Sequence, residues 1–347
     1  HFTCPTTMQE LWDDAVTPNK TLHHLIYSWF RHKYLQTKKW AEDVQGRAAE
    51  LIQTLKKVKG QARVHALKEL KQMVTSHATA RKVMEQDGGV TVVCSLLGRF
   101  TNHAVGSEVI GILVNLNLDS ESKSGFMKPE KISLIADILG EGSIETKINC
   151  VSLILKLMEE DNFQSELVTS HSLLAGLMRL LKDKRYKVGI FPAISLLKSI
   201  CFHENVRSLI VSIGAVPVMV ELLPSLELES LEASLCVLDS LSSLPEGKLA
   251  LKNSSLTIPN ITRLLMRVSD KCALHALSVL LSVCKLCPEE CASAAVEAGL
   301  AAKLLLVIQS GCNPTLKQHS VELLKLCSLN YPDSVFISKC KLTRTIQ

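Results

Sequence analysis

The sequence predicts an all-α protein built as a stacked repeat array. Apolar residues recur with helical period along most of the chain, Gly-centred breaks return about every 42 residues, and no strand-like alternation bounded by hairpin turns occurs after about residue 20. Composition agrees with a large core: of 347 residues 47% are hydrophobic and 21% charged, which excludes a mostly disordered chain. A net charge of +5 is mild, and three Trp with four Tyr supply few stacking platforms, so nucleic acid is not the expected partner. Lys303 interrupts the longest apolar stretch, so no transmembrane segment is predicted. With no signal-peptide pattern, a cytoplasmic location is expected, with nuclear or peripheral plasma-membrane visits left open.

Taken in order, the opening His1-Phe2-Thr3-Cys4-Pro5 has no helix start signal and enters in the middle of a motif, which predicts a fragment. Leu22, Leu25, Ile26 and Trp29 make one helical stripe, with Asn19 or Thr21 as its cap, and Ala48, Leu51, Ile52, Leu55 and Val58 make another. Gly60 then separates a linker helix from the array. Beyond it, Gly88-Gly89-Val90 to Leu96-Leu97, Ile213-Gly214-Ala215-Val216 to Leu222-Leu223, and Ala298-Gly299-Leu300 to Val307-Ile308 are copies of one segment. Partner helices begin near Ala62, His103, Ile144, Tyr186, Leu228, Lys271 and Pro314. The spacing, about 42 residues, is the armadillo and HEAT period, so about seven units are expected to stack into a right-handed superhelix with a concave groove. Val90 to Val93 has β-rich composition but occupies the same repeat position as Val216 to Val220, so periodicity decides for helix.

No catalytic constellation emerges. Gly88-Gly89 lacks the Lys-Ser/Thr of a phosphate loop, and His23 and His24 have no carboxylate near them in the helix. The 12 Cys are scattered through apolar segments; only Cys284, Cys287 and Cys291 form a run, read first as buried packing, with a redox pair and a zinc site as alternatives. The basic stretch Arg31, His32, Lys33, Lys38, Lys39, Lys56, Lys57, Lys59 and Arg63 reads as a solvated helix face, the alternatives being acidic partners or an anionic membrane. Superposing the units places Gln72, Asn115, Lys156, Ser199, Ser240, Ser282 and Lys325 in one column, each among Leu, Ile or Val. Because burying one polar residue per helix is costly, a groove-facing column is preferred over one that merely closes the inner face. Two Lys and no carboxylate lean toward an acidic or phosphorylated ligand.

Cys4-Pro5-Thr6-Thr7 leading to Leu11, then Thr17-Pro18-Asn19-Lys20-Thr21-Leu22 and Leu25-Ile26 with Trp29, resembles the second half of a U-box, whose pattern is Cys-Pro-x-Thr-x-x-x-Leu followed by Pro-Asn-x-x-Leu. With the array downstream, the chain resembles the plant U-box/armadillo class of E3 ubiquitin ligases, and Leu55-Lys56-Lys57-Val58-Lys59-Gly60-Gln61-Ala62-Arg63 is similar to the linker and first repeat of one subgroup. The resemblance implies a partial U-box over 1–35, a linker helix over 36–60 and armadillo repeats over 61–347. It implies a RING-type transferase with no zinc, no cofactor and no covalent intermediate, which holds a ubiquitin-charged E2 and brings a substrate lysine to it. Pro5 and Met8 fall at E2-binding positions of that pattern, although Met8 cannot make the hydrogen bond that Arg or Gln supplies there in some U-boxes. The remaining E2 contacts of the family fall upstream of His1, so this fragment alone is expected to be inactive. Implied partners are an E2, ubiquitin, and protein substrates or receptor kinases held in the armadillo groove, where the column contacts an extended peptide. The rival reading is a non-enzymatic armadillo adaptor. An import-receptor version of it is disfavoured, because Gly111 stands one turn before Asn115 and Trp12, Trp29 and Trp40 all precede the array.

Overall fold

The computed structural model describes residues 3, 8–10, 18–86, 88–160, 170–183, 187–310 and 313–340. Among them the only extended pairing is an isolated antiparallel bridge between Thr3 and Glu10; the rest is helix and short connection. α1 (Lys20–Lys57) starts where Asn19 Oδ1 accepts the Leu22 N–H at 2.9 Å and runs 38 residues without a break. Residues 20 to 40 are all exposed, whereas Val44, Ala48, Leu51, Ile52 and Leu55 are buried against α2 (Gly60–Ser76), α3 (Ala78–Gln86) and α4 (Gly89–Ser95). The two stripes read from the sequence therefore belong to one helix, and its C-terminal part is the first layer of the array.

The following units repeat a pattern of two helices and then a third. α5 (His103–Leu113) is followed by α6 (Ser120–Phe126), α7 (Pro129–Glu141) and α8 (Ile144–Met158), and these by α9 (His171–Lys182) and α10 (Ile190–Ile200). Then come α11 (Glu204–Ser212), α12 (Ala215–Leu222) and α13 (Leu228–Ser242), and next α14 (Pro245–Asn253), α15 (Thr257–Leu264) and α16 (Asp270–Leu286). α17 (Pro288–Glu297), α18 (Leu300–Gln309), α19 (Pro314–Leu329) and α20 (Asp333–Lys339) complete the stack. Gly88, Gly214 and Gly299 hold φ of 67°, 76° and 80° between the first and second helices, the left-handed turn that lets the chain fold back. The expected helix start at Tyr186 lies outside the described residues; α10 proper begins at Ile190, after a 3-10 turn over Lys187–Gly189.

A single hydrophobic core runs through every layer, from Val44 to Cys327. Cysteines fill it as small apolar groups: burial pushes the thiols of Cys94 and Cys327 up to about 11 and those of Cys150 and Cys201 up to about 12, far from thiolate reactivity. Cys284 and Cys291 are buried in α16 and α17, and Cys287 sits at the junction where one helix ends and Pro288 starts the next. This is the packing role expected of the run.

Carbonyls left open at helix C-termini are closed by cations and amides from elsewhere. Arg81 donates to Val74 O at 2.9 Å, Arg207 to Cys201 O at 2.7 Å, and Arg179 to Gly140 O at 3.1 Å. Between second helices the device keeps register. Asn260 donates to Val220 O at 2.9 Å, and Lys303 to Thr262 O at 2.7 Å and Arg263 O at 3.3 Å. In both cases the donor stands four residues after its helix's cap and the acceptor six after the cap of the preceding one.

Burial lowers the pKa of Lys303 below the 10.5 of a free lysine, with Arg267 and Arg263 adding to the effect. Between those two values the unfolded chain holds the extra proton, so this residue makes stability rise with pH there. Lys303→Met is expected to lose that component: urea unfolding across the alkaline range should show a smaller pH-dependent gain than the wild type. An unchanged pH slope would mean that the ammonium is not desolvated.

Candidate functional site

The third helices α2, α5, α8, α10, α13, α16 and α19 pack each on the next in an unbroken ladder, which makes them one wall of the molecule. The polar column lies along it. Gln72 and Lys325, at the two ends, are exposed, while Asn115, Lys156, Ser199, Ser240 and Ser282 are half-buried.

The five half-buried members each have a defined partner. Asn115 Nδ2 donates to Gly111 O at 2.8 Å, Ser199 Oγ to Ser195 O at 3.1 Å and Ser240 Oγ to Cys236 O at 2.9 Å, all one turn back in the same helix. Ser282 Oγ lies 3.4 Å from Ser242 Oγ of the neighbouring layer. Lys156 is turned away from the open face: its Nζ donates to Val114 O and, at 3.3 Å, to Leu116 O at the end of α5, and burial lowers its pKa.

One turn before the column stand Gly111, Ser152, Ser195, Cys236 and Ser278, all small. At Gly111 the space is used. A Cβ there would meet Lys71 Cδ at 2.6 Å, because the Lys71 stem crosses α5 to place Nζ 2.9 Å from Glu108 Oε2 and 3.1 Å from Glu145 Oε1. Desolvation opposes the Lys71 charge, but the two carboxylates outweigh it and raise its pKa. This clamp ties α2, α5 and α8 together, and nothing in the column pattern announced it; its one sequence signal was the missing side chain at Gly111. Further along, Lys271 bonds Glu232, His275 Nδ1 lies 2.8 Å from Asp239 Oδ2, and Lys285 Nζ lies 2.6 Å from Glu322 Oε1, each across adjacent third helices.

At the other end of the chain, Pro5 lies outside the described residues. Met8 is exposed with φ of 55°, an uncommon conformation for a residue with a side chain, two residues before Glu10, which is bridged to Thr3. Leu25, Ile26, Trp29 and Phe30 form an exposed apolar cluster on α1, with Lys33 Nζ 4.7 Å from the centre of the Trp29 ring. His23 and His24 are exposed and meet edge to face at 6.1 Å.

Comparison with known proteins joins the two ends. Residues 48–347 match the family described as the plant U-box protein ARM repeat region. The chain is 67% identical to U-box domain-containing protein 30 of Arabidopsis thaliana, over all of its own length and 78% of that protein. It is 25% identical to E3 ubiquitin-protein ligase PUB23 of Arabidopsis thaliana, over 97% of this chain and 85% of that one. Among solved structures, one described as "A conserved phosphorylation switch controls the interaction between cadherin and beta-catenin in vitro and in vivo" superposes with a TM-score of 0.66 at 15% identity, covering 84% of this chain and 54% of that chain, a likeness of fold alone.

Proposed function

We propose, because this chain belongs to the family of plant U-box proteins with an armadillo repeat region, that it serves in an E3 ubiquitin ligase whose third-helix groove holds the substrate while the U-box recruits a ubiquitin-charged E2. The observation that carries the reading is the half-buried polar column repeated along an unbroken wall of third helices. Catalysis of this kind needs no nucleophile from the chain; it needs two partners held at a fixed separation. Pro5 and Met8 are assigned to the E2 side, and Gln72, Asn115, Lys156, Ser199, Ser240, Ser282 and Lys325 to the substrate side. Ser282 and the three residues bonded one turn back in their own helices face the ligand directly, whereas Lys156 shapes the groove from behind. A cytoplasmic location belongs to the same proposal and is checked by imaging the tagged protein.

The test is ubiquitination in vitro with E1, a broadly active E2, ubiquitin and ATP, comparing this chain with a version extended upstream to the initiator Met of its transcript. Activity is expected in the extended form only, and Pro5→Ala there should lower it. Silence from both forms, with a folded array, would favour the adaptor reading. For the groove, Asn115→Ala is expected to weaken substrate binding while leaving helical content and Tm nearly unchanged. Its amide bonds only to its own helix, so about 1 kcal/mol or less is at stake. A large drop in Tm would instead place Asn115 in the core.

A further inference from the structure

The hydrogen-bond inventory of the groove defines the kind of chain that fits it, provided that the groove is the docking surface proposed above. Ser199 and Ser240 spend their hydroxyl hydrogens, and Asn115 one of its two Nδ2 hydrogens, on backbone carbonyls one turn back, which leaves Asn115 Oδ1 and the two hydroxyl oxygens as acceptors toward the ligand, with one Nδ2 hydrogen of Asn115 beside them. The ammonium of Lys156 is committed to the end of α5, that of Lys71 to Glu108 and Glu145, and that of Lys285 to Glu322. Lys198 lies in the field of Glu232, and Lys325 stands at the far end of the column. Arginine, whose fork grips carboxylate and phosphate in two-point fashion, is absent from α5, α8, α10, α13, α16 and α19, although the chain has 11 of them.

At the centre of the wall, α13 adds two carboxylates. Glu232 is held by Lys271, whose side chain is 65% exposed, and Asp239 by His275. A cation brought by a ligand can take the place of Lys271 on Glu232 while Lys271 returns to water. A ligand carboxylate or phosphate would have to pull Lys271 off and leave Glu232 unpaired on a half-buried surface.

We infer that the groove takes an extended, unphosphorylated segment of neutral to basic character, read through its N–H donors by Asn115, Ser199 and Ser240 and through a Lys or Arg side chain by Glu232 and Asp239. The leaning toward an acidic or phosphorylated ligand, drawn from the Lys count of the column, is thereby reversed: Lys156 is spent on the fold.

The probe is a bead-bound random peptide library containing Lys, Arg, Glu and phosphoserine, selected on the full chain and on its Glu232→Gln/Asp239→Asn variant, with circular dichroism confirming that both fold alike. On the wild type, Lys and Arg are expected to be enriched about threefold or more over Glu and phosphoserine, and the variant is expected to lose that enrichment while still selecting neutral sequences. Enrichment of Glu or phosphoserine, or Lys/Arg enrichment that survives in the variant, would overturn the ligand assignment and leave the groove as docking surface standing. Failure of the wild type to select any peptide over a scrambled background would overturn the docking surface itself, and this inference with it.

Discussion

Gly247→Ala should be among the most damaging single-atom additions to this array, with an expected loss of about 3 kcal/mol or more. Gly247 lies in the first turn of α14, where an added Cβ would stand 1.9 Å from the Leu241 carbonyl oxygen and 2.8 Å from its carbon. The obstacle is backbone, so no side chain can swing aside; α14 must move off the end of α13, and with it the contacts that α14 makes to α11, α12 and α16. Gly46→Ala supplies the control. That glycine is exposed in α1 with nothing within 4 Å of the would-be Cβ, so the gain in helix propensity should stabilise by about 0.5–1 kcal/mol. Thermal melts of the two variants should move in opposite directions, and a Gly247→Ala melt equal to the wild type would contradict the close approach of α13 and α14.

The second large effect is expected on activity rather than stability. Over residues 20 to 40 α1 is exposed, and about 20 Å of helix separates the apolar cluster around Trp29 from Val44, the first residue buried in the array. Gln36→Pro would break that rod at a residue that is exposed and, among the described residues, bonds its side chain only to His32 in the same helix. In the upstream-extended protein, substrate ubiquitination is expected to fall about tenfold, because the two halves lose their fixed separation. Free ubiquitin-chain synthesis with the E2, which needs no array, should stay at the wild-type rate, and so should the Tm of the repeats. Equal substrate ubiquitination in variant and wild type would mean that the helix does not set the geometry.

The repeat period was legible because three of the units announce their fold-back with a glycine at positive φ, a conformation other residues avoid. α15 starts without one: Leu256 precedes it in right-handed conformation, and Thr257 Oγ1 donates to Leu251 O at 2.7 Å to fix the turn. That unit could be placed only by counting residues. The continuity of α1 escaped the same reading, since its outer half carries an apolar stripe that stays exposed among the described residues and its inner half is amphipathic toward the core. In the groove, the positions of the column followed from spacing, but the direction of each donor did not. A lysine inside an apolar stripe reads alike whether it reaches for a ligand or for a neighbouring carbonyl, and only the depth of Lys156 beside the end of α5 separates the two. The Lys71 clamp joins residues 37 and 74 positions apart, a separation at which pairing leaves no trace in a single sequence beyond the missing side chain at Gly111.

Among the described residues the carbonyl clips between layers point the same way along the chain. Lys156 reaches back to α5, Arg179 to α7, Asn260 to α12 and Lys303 to α15, so the later layer supplies the donor and the earlier one the acceptor. During synthesis, when N-terminal parts fold first, a finished layer therefore waits with open carbonyls, which water satisfies, until the next layer leaves the ribosome. The ammonium groups of Lys156 and Lys303 thus arrive after the carbonyls that hold them have formed. At these clips a chain shortened from its C-terminus uncovers carbonyls, whereas one shortened from its N-terminus deprives Lys156 and Lys303, already committed to the interior, of the groups that hold them there.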